Sequence, residues 1–219
     1  MPEGACIIVG NHAQMNGPIC AEFYISGKHT TWCAGEMMEL KEVPSYAFRD
    51  FWSRKPKFAR PFYKVLSYLI APLSVCIFNN AHTIPVYHDN RLMSTFKKTV
   101  SALEKESRVV IFPECYTPYN QIVNDFQEKF VDAAKLYYKR TGKQLSFVPM
   151  YIAPARKMVY FGKPVVFDAA SPIAEERNRI CSYLKDHITE LALALPRHRV
   201  VCYANVPKKM RPYSKEESL

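Results

Sequence analysis

The sequence has no closely spaced pair of cysteines. Its seven cysteines are scattered, none belongs to a C-x-x-C motif, and their number is odd. A disulfide framework and a zinc ribbon both need paired cysteines, so the sequence argues against both and indicates a reducing cytoplasm. The cysteines are Cys6, Cys20, Cys33, Cys76, Cys115, Cys181 and Cys202.

The sequence also has no low-complexity tract, no internal repeat and no leader before its first apolar strand. We therefore expect neither a signal peptide nor an N-terminal anchor helix. A length of 219 residues is typical of one domain with a sizeable core. We assign residues 1–206 to that domain and the polar residues 207–219 to a C-terminal tail.

The formal net charge is +10, which fits nucleic acid, an anionic membrane surface or simple solubility. The sequence carries no helix-turn-helix, zinc-finger or RNA-binding signature, and this disfavours nucleic acid as a partner. A basic cluster at residues 54–64 directly precedes an apolar run at residues 65–78. This arrangement favours an anionic membrane surface that is bound through residues 54–78.

We expect that the apolar run at residues 65–78 does not span a membrane. As a helix its 14 residues cover about 21 Å, against a hydrocarbon thickness of about 30 Å. Pro72 is also expected to interrupt it. An interfacial helix and a buried core helix both remain open. The predicted localisation is cytoplasmic and peripheral, on the inner face of the membrane.

Strand-like and helix-like segments alternate along the chain. Apolar runs at residues 7–10, 108–112 and 145–152 are typical of buried strands. Spacings of three and four residues predict helices over 93–106 and 126–140, and a last helix from Ser171 whose apolar face is Ile180, Leu184, Ile188, Leu191 and Leu195. The predicted fold class is α/β: a single domain with a mixed, largely parallel sheet flanked by helices.

Polar residues follow two of the predicted strands at the point where each ends. Asn11-His12 follows residues 7–10, Glu114 follows residues 108–112, and a further polar corner lies at residues 88–91. Chemistry in open α/β sheets concentrates where strands end and helices begin. Because histidine transfers protons near neutral pH, we predict that His12 is a catalytic base.

Taken in order, these segments resemble the glycerolipid acyltransferase family, which makes phosphatidic acid from lysophosphatidic acid and an acyl thioester. The family's Asn-His motif corresponds to Asn11-His12, its strand before an Asp-Arg pair to residues 84–88, its Phe-Pro-Glu-Gly-Thr motif to residues 112–116 and its Val-Pro strand to Val148-Pro149. A Gly-Lys-Pro turn at residues 162–164 also matches. The resemblance extends over residues 5–167 and makes residues 1–206 an acyltransferase-like domain.

The resemblance implies an O-acyltransferase. His12 removes the proton of an acceptor hydroxyl, which attacks the thioester carbonyl of acyl-CoA or acyl carrier protein. Donors at the start of the following helix are expected to stabilise the oxyanion. The acceptor is a lysophospholipid or a related glycerolipid or glycolipid, and no metal or prosthetic group is implied. The implied catalytic residues are His12 and Asn16, and the implied substrate contacts are Gly17, His88, Arg91, Glu114, Cys115, Tyr116 and Lys129.

The sequence departs from the family five residues after His12, where Gly17 replaces an aspartate. The amide of Asn16 can hold an imidazole but supplies no negative charge. Either a carboxylate from elsewhere serves, or His12 is a weaker base, or the site is inactive. The candidate carboxylates are Glu36, Asp89 and Glu114.

Two further departures concern the acceptor. His88 replaces the arginine that contacts the acceptor phosphate in the family, with Arg91 and Lys129 as candidate substitutes. Cys115 and Tyr116 replace a glycine and a threonine, and their larger side chains are expected to crowd the acceptor pocket. These changes suggest an acceptor other than ordinary lysophosphatidic acid.

Two alternative functions remain open. A non-catalytic relative of the family would bind lipid without turnover, which the missing aspartate favours. A thiol hydrolase would use Cys115 as its nucleophile beside Glu114.

Overall fold

Strands and helices alternate along most of the chain, of which the computed structural model describes residues 4–53, 55–204 and 206–216. The strands in these residues are β1 (Cys6–Gly10), β2 (His29–Ala34), β3 (Thr83–Val86), β4 (Arg108–Ile111), β5 (Glu114–Pro118), β6 (Asn124–Phe126), β7 (Ser146–Ala153), β8 (Met158–Phe161) and β9 (Val165–Val166). The α-helices are α1 (Asn16–Tyr24), α2 (Val43–Ala47), α3 (Arg60–Asn80), α4 (Leu92–Glu104), α5 (Asp132–Thr141) and α6 (Ile173–Ala194).

The fold is mixed α/β, with a largely parallel sheet of seven strands flanked by helices. This confirms the predicted fold class. The chain divides into two compact units: the first contains residues 1–29 and 99–219, and the second contains residues 30–98.

The sheet of the first unit is built around β1, every residue of which is buried. β1 pairs in parallel with both β4 and β7, and β7 pairs in antiparallel fashion with β8 and β9. The apolar runs of these strands do not alternate with polar residues, as is typical of parallel strands that are covered on both faces. Ile8, Val110, Val148 and Met150 belong to one core cluster on this sheet.

Of the helices in the first unit, α6 begins close to its predicted start and α5 does not. α5 begins at Asp132, six residues after the predicted start, because residues 124–126 form β6 and residues 128–131 form a 3₁₀ turn. It ends at Thr141, and Gly142, with a positive φ of 70°, forms the predicted C-cap. α6 buries Ile180, Leu184 and Ile188 as predicted, whereas Leu195 lies just beyond its end. The two-stranded antiparallel pair of β5 and β6 was not predicted, because its residues are mostly polar and show no strand periodicity.

The segment after α6 contacts the rest of the first unit. The hydroxyl of Tyr151 on β7 lies 2.8 Å from Nε2 of the buried His198. Ser214, which is fully buried, donates its backbone N–H to the His198 carbonyl, and the Val200 N–H bonds to the Pro212 carbonyl. The predicted tail therefore packs against residues 196–201 up to residue 216, and residues 217–219 lie outside the described part of the chain.

The second unit is organised by α3, which presents small residues inward and large apolar residues outward. Its buried residues are Ser67, Ala71 and Ser74, and the Ser74 hydroxyl donates to the Met37 carbonyl at 2.9 Å. Ala71 packs in a cluster with Met37, Val43 and Ala47. The opposite face exposes Phe62, Val65, Tyr68, Leu69, Leu73 and Ile77.

The predicted limits of this apolar helix were wrong. α3 contains 21 residues and continues through Pro72, which is exposed. A helix of this length measures about 31 Å, because each residue adds about 1.5 Å. By length and composition alone, Lys57–Asn80 could cross a membrane, so length gives no ground against spanning. Arg54 of the predicted basic cluster lies outside the described residues.

Candidate active site

The parallel register of the first unit brings together the two polar corners that follow β1 and β4. Val9 pairs with Ile111, and continuing this register by three residues sets His12 against Glu114. The backbone N–H of His12 donates to Oε2 of Glu114 at 2.5 Å, across 102 residues of sequence. The structure thus joins the predicted base and the predicted carboxylate, through the main chain of His12.

Asn11 fixes the same corner to β7. Its side chain is buried and forms two hydrogen bonds with Ile152: its Oδ1 accepts the backbone N–H at 2.7 Å, and its Nδ2 donates to the carbonyl at 3.1 Å. An amide side chain can make both bonds at once because it carries a donor and an acceptor. Asn11 therefore holds the main chain that leads into His12.

Glu114 is almost fully buried, and main-chain donors occupy both of its oxygens. Oε1 accepts the N–H of Asn124 at 2.7 Å, and Oε2 accepts the N–H of His12. Burial raises the pKa of Glu114 from its ordinary value of 4.5 to about 7, although these two hydrogen bonds act in the opposite direction. Glu114 thus positions the main chain of the site, and its predicted contact with the acceptor stays a prediction.

We expect this buried carboxyl group to make stability depend on pH. Because its pKa is raised, the folded protein holds the proton more tightly than the unfolded chain, so stability falls as pH rises from 4.5 to about 7. The loss amounts to about 3 kcal/mol at most. Urea unfolding of wild type and Glu114→Gln at both ends of this range will measure it.

The Glu114→Gln variant, which cannot ionise, should lack this part of the pH dependence. Glu128→Gln serves as the matched control, because Glu128 is an exposed carboxylate of the same unit. Parallel stability profiles for wild type and Glu114→Gln would contradict the raised pKa.

A tight turn with unusual backbone angles follows His12. Ala13 and Gln14 have φ values of 45° and 57°, in the left-handed region that residues other than glycine seldom adopt. Such strain is found at sites where the surrounding structure holds the main chain in a required position. The turn closes when the Gly17 N–H donates to the His12 carbonyl at 3.1 Å.

The start of α1 does not offer the expected oxyanion donors. The N–H of Asn16 bonds to the Ala13 carbonyl, that of Gly17 bonds to the His12 carbonyl, and Pro18 has no N–H. The Asn16 side chain also donates to the Ala13 carbonyl, at 2.9 Å. Asn16 therefore stabilises the turn, and its predicted contact with the imidazole stays a prediction.

Gly17 is required by the closeness of the His12 main chain. A Cβ atom at this position would lie 2.2 Å from the carbonyl oxygen of His12 and 3.1 Å from the Phe112 ring. Real Cβ atoms do not approach other atoms so closely, so no side chain fits here without a shift of the main chain. The aspartate of the family is thus not only absent at this position but also sterically excluded.

Aromatic rings surround the imidazole of His12. Phe112 and Tyr203 each meet it edge to face, with ring centroids 5.6 Å apart in both cases. Tyr203 in turn contacts Tyr116, with ring centroids 5.0 Å apart, and the predicted crowding of the acceptor pocket stays a prediction. Tyr203 was not predicted, because no local pattern indicates that the segment after α6 returns to the end of β1.

Cys115 and Lys129 contribute less to this corner. The carbonyl of Cys115 accepts a hydrogen bond from the Asn124 side chain at 2.6 Å. Cys115 is half-buried, and its predicted roles stay predictions. Lys129 is exposed, in the 3₁₀ turn that precedes α5.

The remaining predicted residues belong to the second unit. Arg91 forms ion pairs with Asp89 at 2.9 Å, with Glu42 at 3.1 Å and with Glu39 at 3.7 Å, and its guanidinium stacks on Tyr87. Three carboxylates surround one arginine, so this cluster disfavours an anion such as a phosphate.

Two other residues of the second unit were predicted to take part. His88 is exposed, and Glu36 is half-buried in the 3₁₀ turn Gly35–Met38. The roles predicted for both residues stay predictions.

Comparison of the chain with family models, with curated proteins and with solved structures finds no match. Within residues 4–53, 55–204 and 206–216, no group of three or more His, Cys, Asp and Glu side chains could hold a metal ion. The description of the site therefore depends on its own geometry.

Proposed function

We propose that this protein is an acyltransferase that moves a fatty acyl group from an acyl thioester to a hydroxyl of a lysophospholipid or a related lipid. The observation that carries the proposal is the meeting of Asn11-His12 with Glu114 at one corner of the sheet. These are the two segments in which the sequence most resembles the glycerolipid acyltransferases, and they are distant in sequence.

His12 acts as the general base in this proposal. It takes the proton of the acceptor hydroxyl, and the resulting oxygen attacks the thioester carbonyl to form a tetrahedral intermediate. The C–S bond then breaks, and the thiolate leaves with the proton that His12 returns. Position 17 carries no carboxylate, the main chain of His12 is held by Glu114, and the rings of Phe112 and Tyr203 contact the imidazole.

The exposed face of α3 supports a membrane location for the reaction. Leu69 and Leu73 are 71% and 62% exposed, although leucine is usually buried. The sequence from residue 51 to residue 88 contains no acidic residue, and Lys55, Lys57 and Arg60 lie at or before the start of the helix. An apolar face with basic residues at one end is complementary to an anionic membrane surface. We propose that α3 lies on such a surface, at the cytoplasmic side.

We predict that the double substitution Leu69→Glu and Leu73→Glu weakens vesicle binding at least about tenfold. Each buried leucine contributes about 1.5–3 kcal/mol, and the added charges are repelled by anionic lipid. Cosedimentation with vesicles of phosphatidylcholine and phosphatidylglycerol will measure this. Leu40→Glu is the matched control, because Leu40 is 56% exposed in the same unit but lies outside α3. Unchanged binding of the double variant would refute this role for α3.

The proposed activity is tested by the release of free thiol from a long-chain acyl-CoA and from acyl carrier protein. The protein is mixed with vesicles that contain a panel of lysophospholipid and glycolipid acceptors, and the acylated product is identified by mass spectrometry. Release that depends on an acceptor supports the proposal. Release without an acceptor that is lost in Cys115→Ala would instead indicate a thiol hydrolase.

A second candidate is a lipid-binding protein without turnover. The steric exclusion of a side chain at Gly17 favours it, because the carboxylate that assists the histidine in the glycerolipid acyltransferases cannot occupy this position. Lipid binding without thiol release, across the whole acceptor panel, would support this alternative.

A further inference from the structure

The segment after α6 carries a high density of positive charge. Residues 191–215 include Arg197, Arg199, Lys208, Lys209, Arg211 and Lys215, and they include no aspartate or glutamate. The stretch therefore contains no acidic side chain that could neutralise these positive charges. The segment is thus a candidate for binding an anion.

Hydrogen bonds hold this segment in a defined conformation. One Nη atom of Arg199 donates to the carbonyls of Lys208, Lys209 and Arg211 at 3.2–3.3 Å. The Arg199 guanidinium also stacks on the ring of Tyr213. Arg199 therefore stabilises the conformation of this segment and holds the main chain of Arg211.

Arg211 lies beside the turn that follows His12. Its Nη2 donates to the side-chain oxygen of Gln14 at 3.3 Å, and the Gln14 amide nitrogen donates to the Ala204 carbonyl at 3.3 Å. Gln14 is only two residues after His12, and the neighbouring Tyr203 contacts the imidazole. The guanidinium of Arg211 is therefore part of the same corner as the proposed base.

The charge of Arg211 also acts on the Cys202 thiol. Burial raises the pKa of Cys202, the Arg211 charge lowers it, and the charge of Glu114 raises it. The geometric evidence for the place of Arg211 is its hydrogen bond to Gln14.

No carboxylate within the described part of the chain pairs with Arg211. Within the described residues it forms no ion pair, and its buried Nε–H has no hydrogen-bond acceptor. A buried donor without an acceptor is costly, and such donors are found where a water or an ion completes the bonding. Arg91 differs, because three carboxylates already surround it.

We propose that Arg211 binds a phosphate monoester group of the acyl acceptor and so directs the acceptor hydroxyl toward His12. A guanidinium suits this role, because its fork of N–H donors matches the oxygens of a phosphate. The inference rests on the proposed acyl transfer. It assigns the anion-binding role to a residue near the C-terminus and not to His88 or Arg91.

The test compares two acceptors in phosphatidylcholine vesicles: a lysophosphatidate, which carries the phosphate, and a monoacylglycerol, which does not. Arg211→Gln is expected to raise KM for the lysophosphatidate about tenfold or more, and to lower kcat/KM for the monoacylglycerol much less than kcat/KM for the lysophosphatidate. Arg211→Lys should keep part of the affinity. Lys209→Gln, which removes an exposed charge from the same segment, should change either value less than about twofold.

Three outcomes would overturn the assignment. Equal losses with both acceptors would indicate a structural role for Arg211. A raised KM for acyl-CoA that disappears with an acyl-pantetheine donor would assign the phosphate to the donor. An unchanged KM for the lysophosphatidate would show that Arg211 does not bind the phosphate of the acceptor.

A binding measurement separates this inference from the proposed activity. In titrations followed by ³¹P NMR, wild type is expected to bind glycerol 3-phosphate and Arg211→Gln to lose that binding. This result stands even if wild type releases no thiol with any acceptor, in which case only the proposed activity fails. Equal binding by both proteins would refute the role of Arg211.

Discussion

Replacement of His12 by alanine is expected to lower kcat for acyl transfer by about 10²–10⁴-fold, the usual contribution of a positioned general base. The fold should survive, because His12 is only half-buried and Glu114 contacts its main chain, which alanine retains. Loss of the two edge-to-face ring contacts should cost about 1–3 kcal/mol of stability. Steady-state thiol release and urea unfolding on the same preparations will measure both effects.

Two control variants make this result specific. His12→Phe keeps a ring between Phe112 and Tyr203 but cannot accept a proton, so it should be as inactive as His12→Ala and more stable. His187→Ala removes another half-buried histidine, on α6, and should retain full activity. A folded His12→Ala protein with wild-type activity would exclude His12 as the base.

The part of the site that depends on regular strand pairing could be predicted from the sequence. The apolar runs at residues 7–10 and 108–112 indicated parallel strands, and neighbouring parallel strands end at the same edge of a sheet. With the pairing of Val9 and Ile111, the polar residues after each run meet in register. His12 was predicted as the base, and Glu114 was one of three candidate carboxylates; the strand register brings these two together.

The long-range packing of irregular segments was not predictable. Ala13 and Gln14 adopt positive φ values, although neither residue type favours them, because the main chains of residues 12–17 must close a tight turn. Tyr203 contacts the site from the irregular segment after α6, and Arg211 contacts it from residues 207–219, whose polar composition had suggested a tail. Their positions follow from contacts with distant residues, which leave no periodic signal in the local sequence.

Local rules also failed where tertiary structure overrides them. Pro72 was expected to interrupt the helix, but only one backbone hydrogen bond is lost at a proline, and α3 retains the others on each side. The apolar face of α3 could be identified from composition. Its direction, outward and not into the core, depends on the small residues Ser67, Ala71 and Ser74, which pack closely on the opposite side.

Gly17→Asp, which introduces the carboxylate found in the glycerolipid acyltransferases, is expected to abolish activity and not to improve it. Its Cβ would overlap the His12 carbonyl oxygen at 2.2 Å, so the main chain of the base must move. We expect a loss of about 3 kcal/mol or more, because overpacked sites relax incompletely. In thermal unfolding this corresponds to a fall in Tm of about 6–12 °C.

Two companion variants separate the steric effect at Gly17 from the effect of charge. Gly17→Ala adds the overlapping Cβ alone and should account for most of the loss. Asn16→Asp adds a carboxylate without a new Cβ and removes only the side-chain bond to Ala13, which is worth about 1 kcal/mol. If Gly17→Asp were stable and more active than wild type, the turn would have to accommodate a side chain that its present geometry excludes. A gain in activity for Asn16→Asp alone would mean that a nearby carboxylate strengthens His12 as a base. It would also mean that the turn already holds His12 in its position.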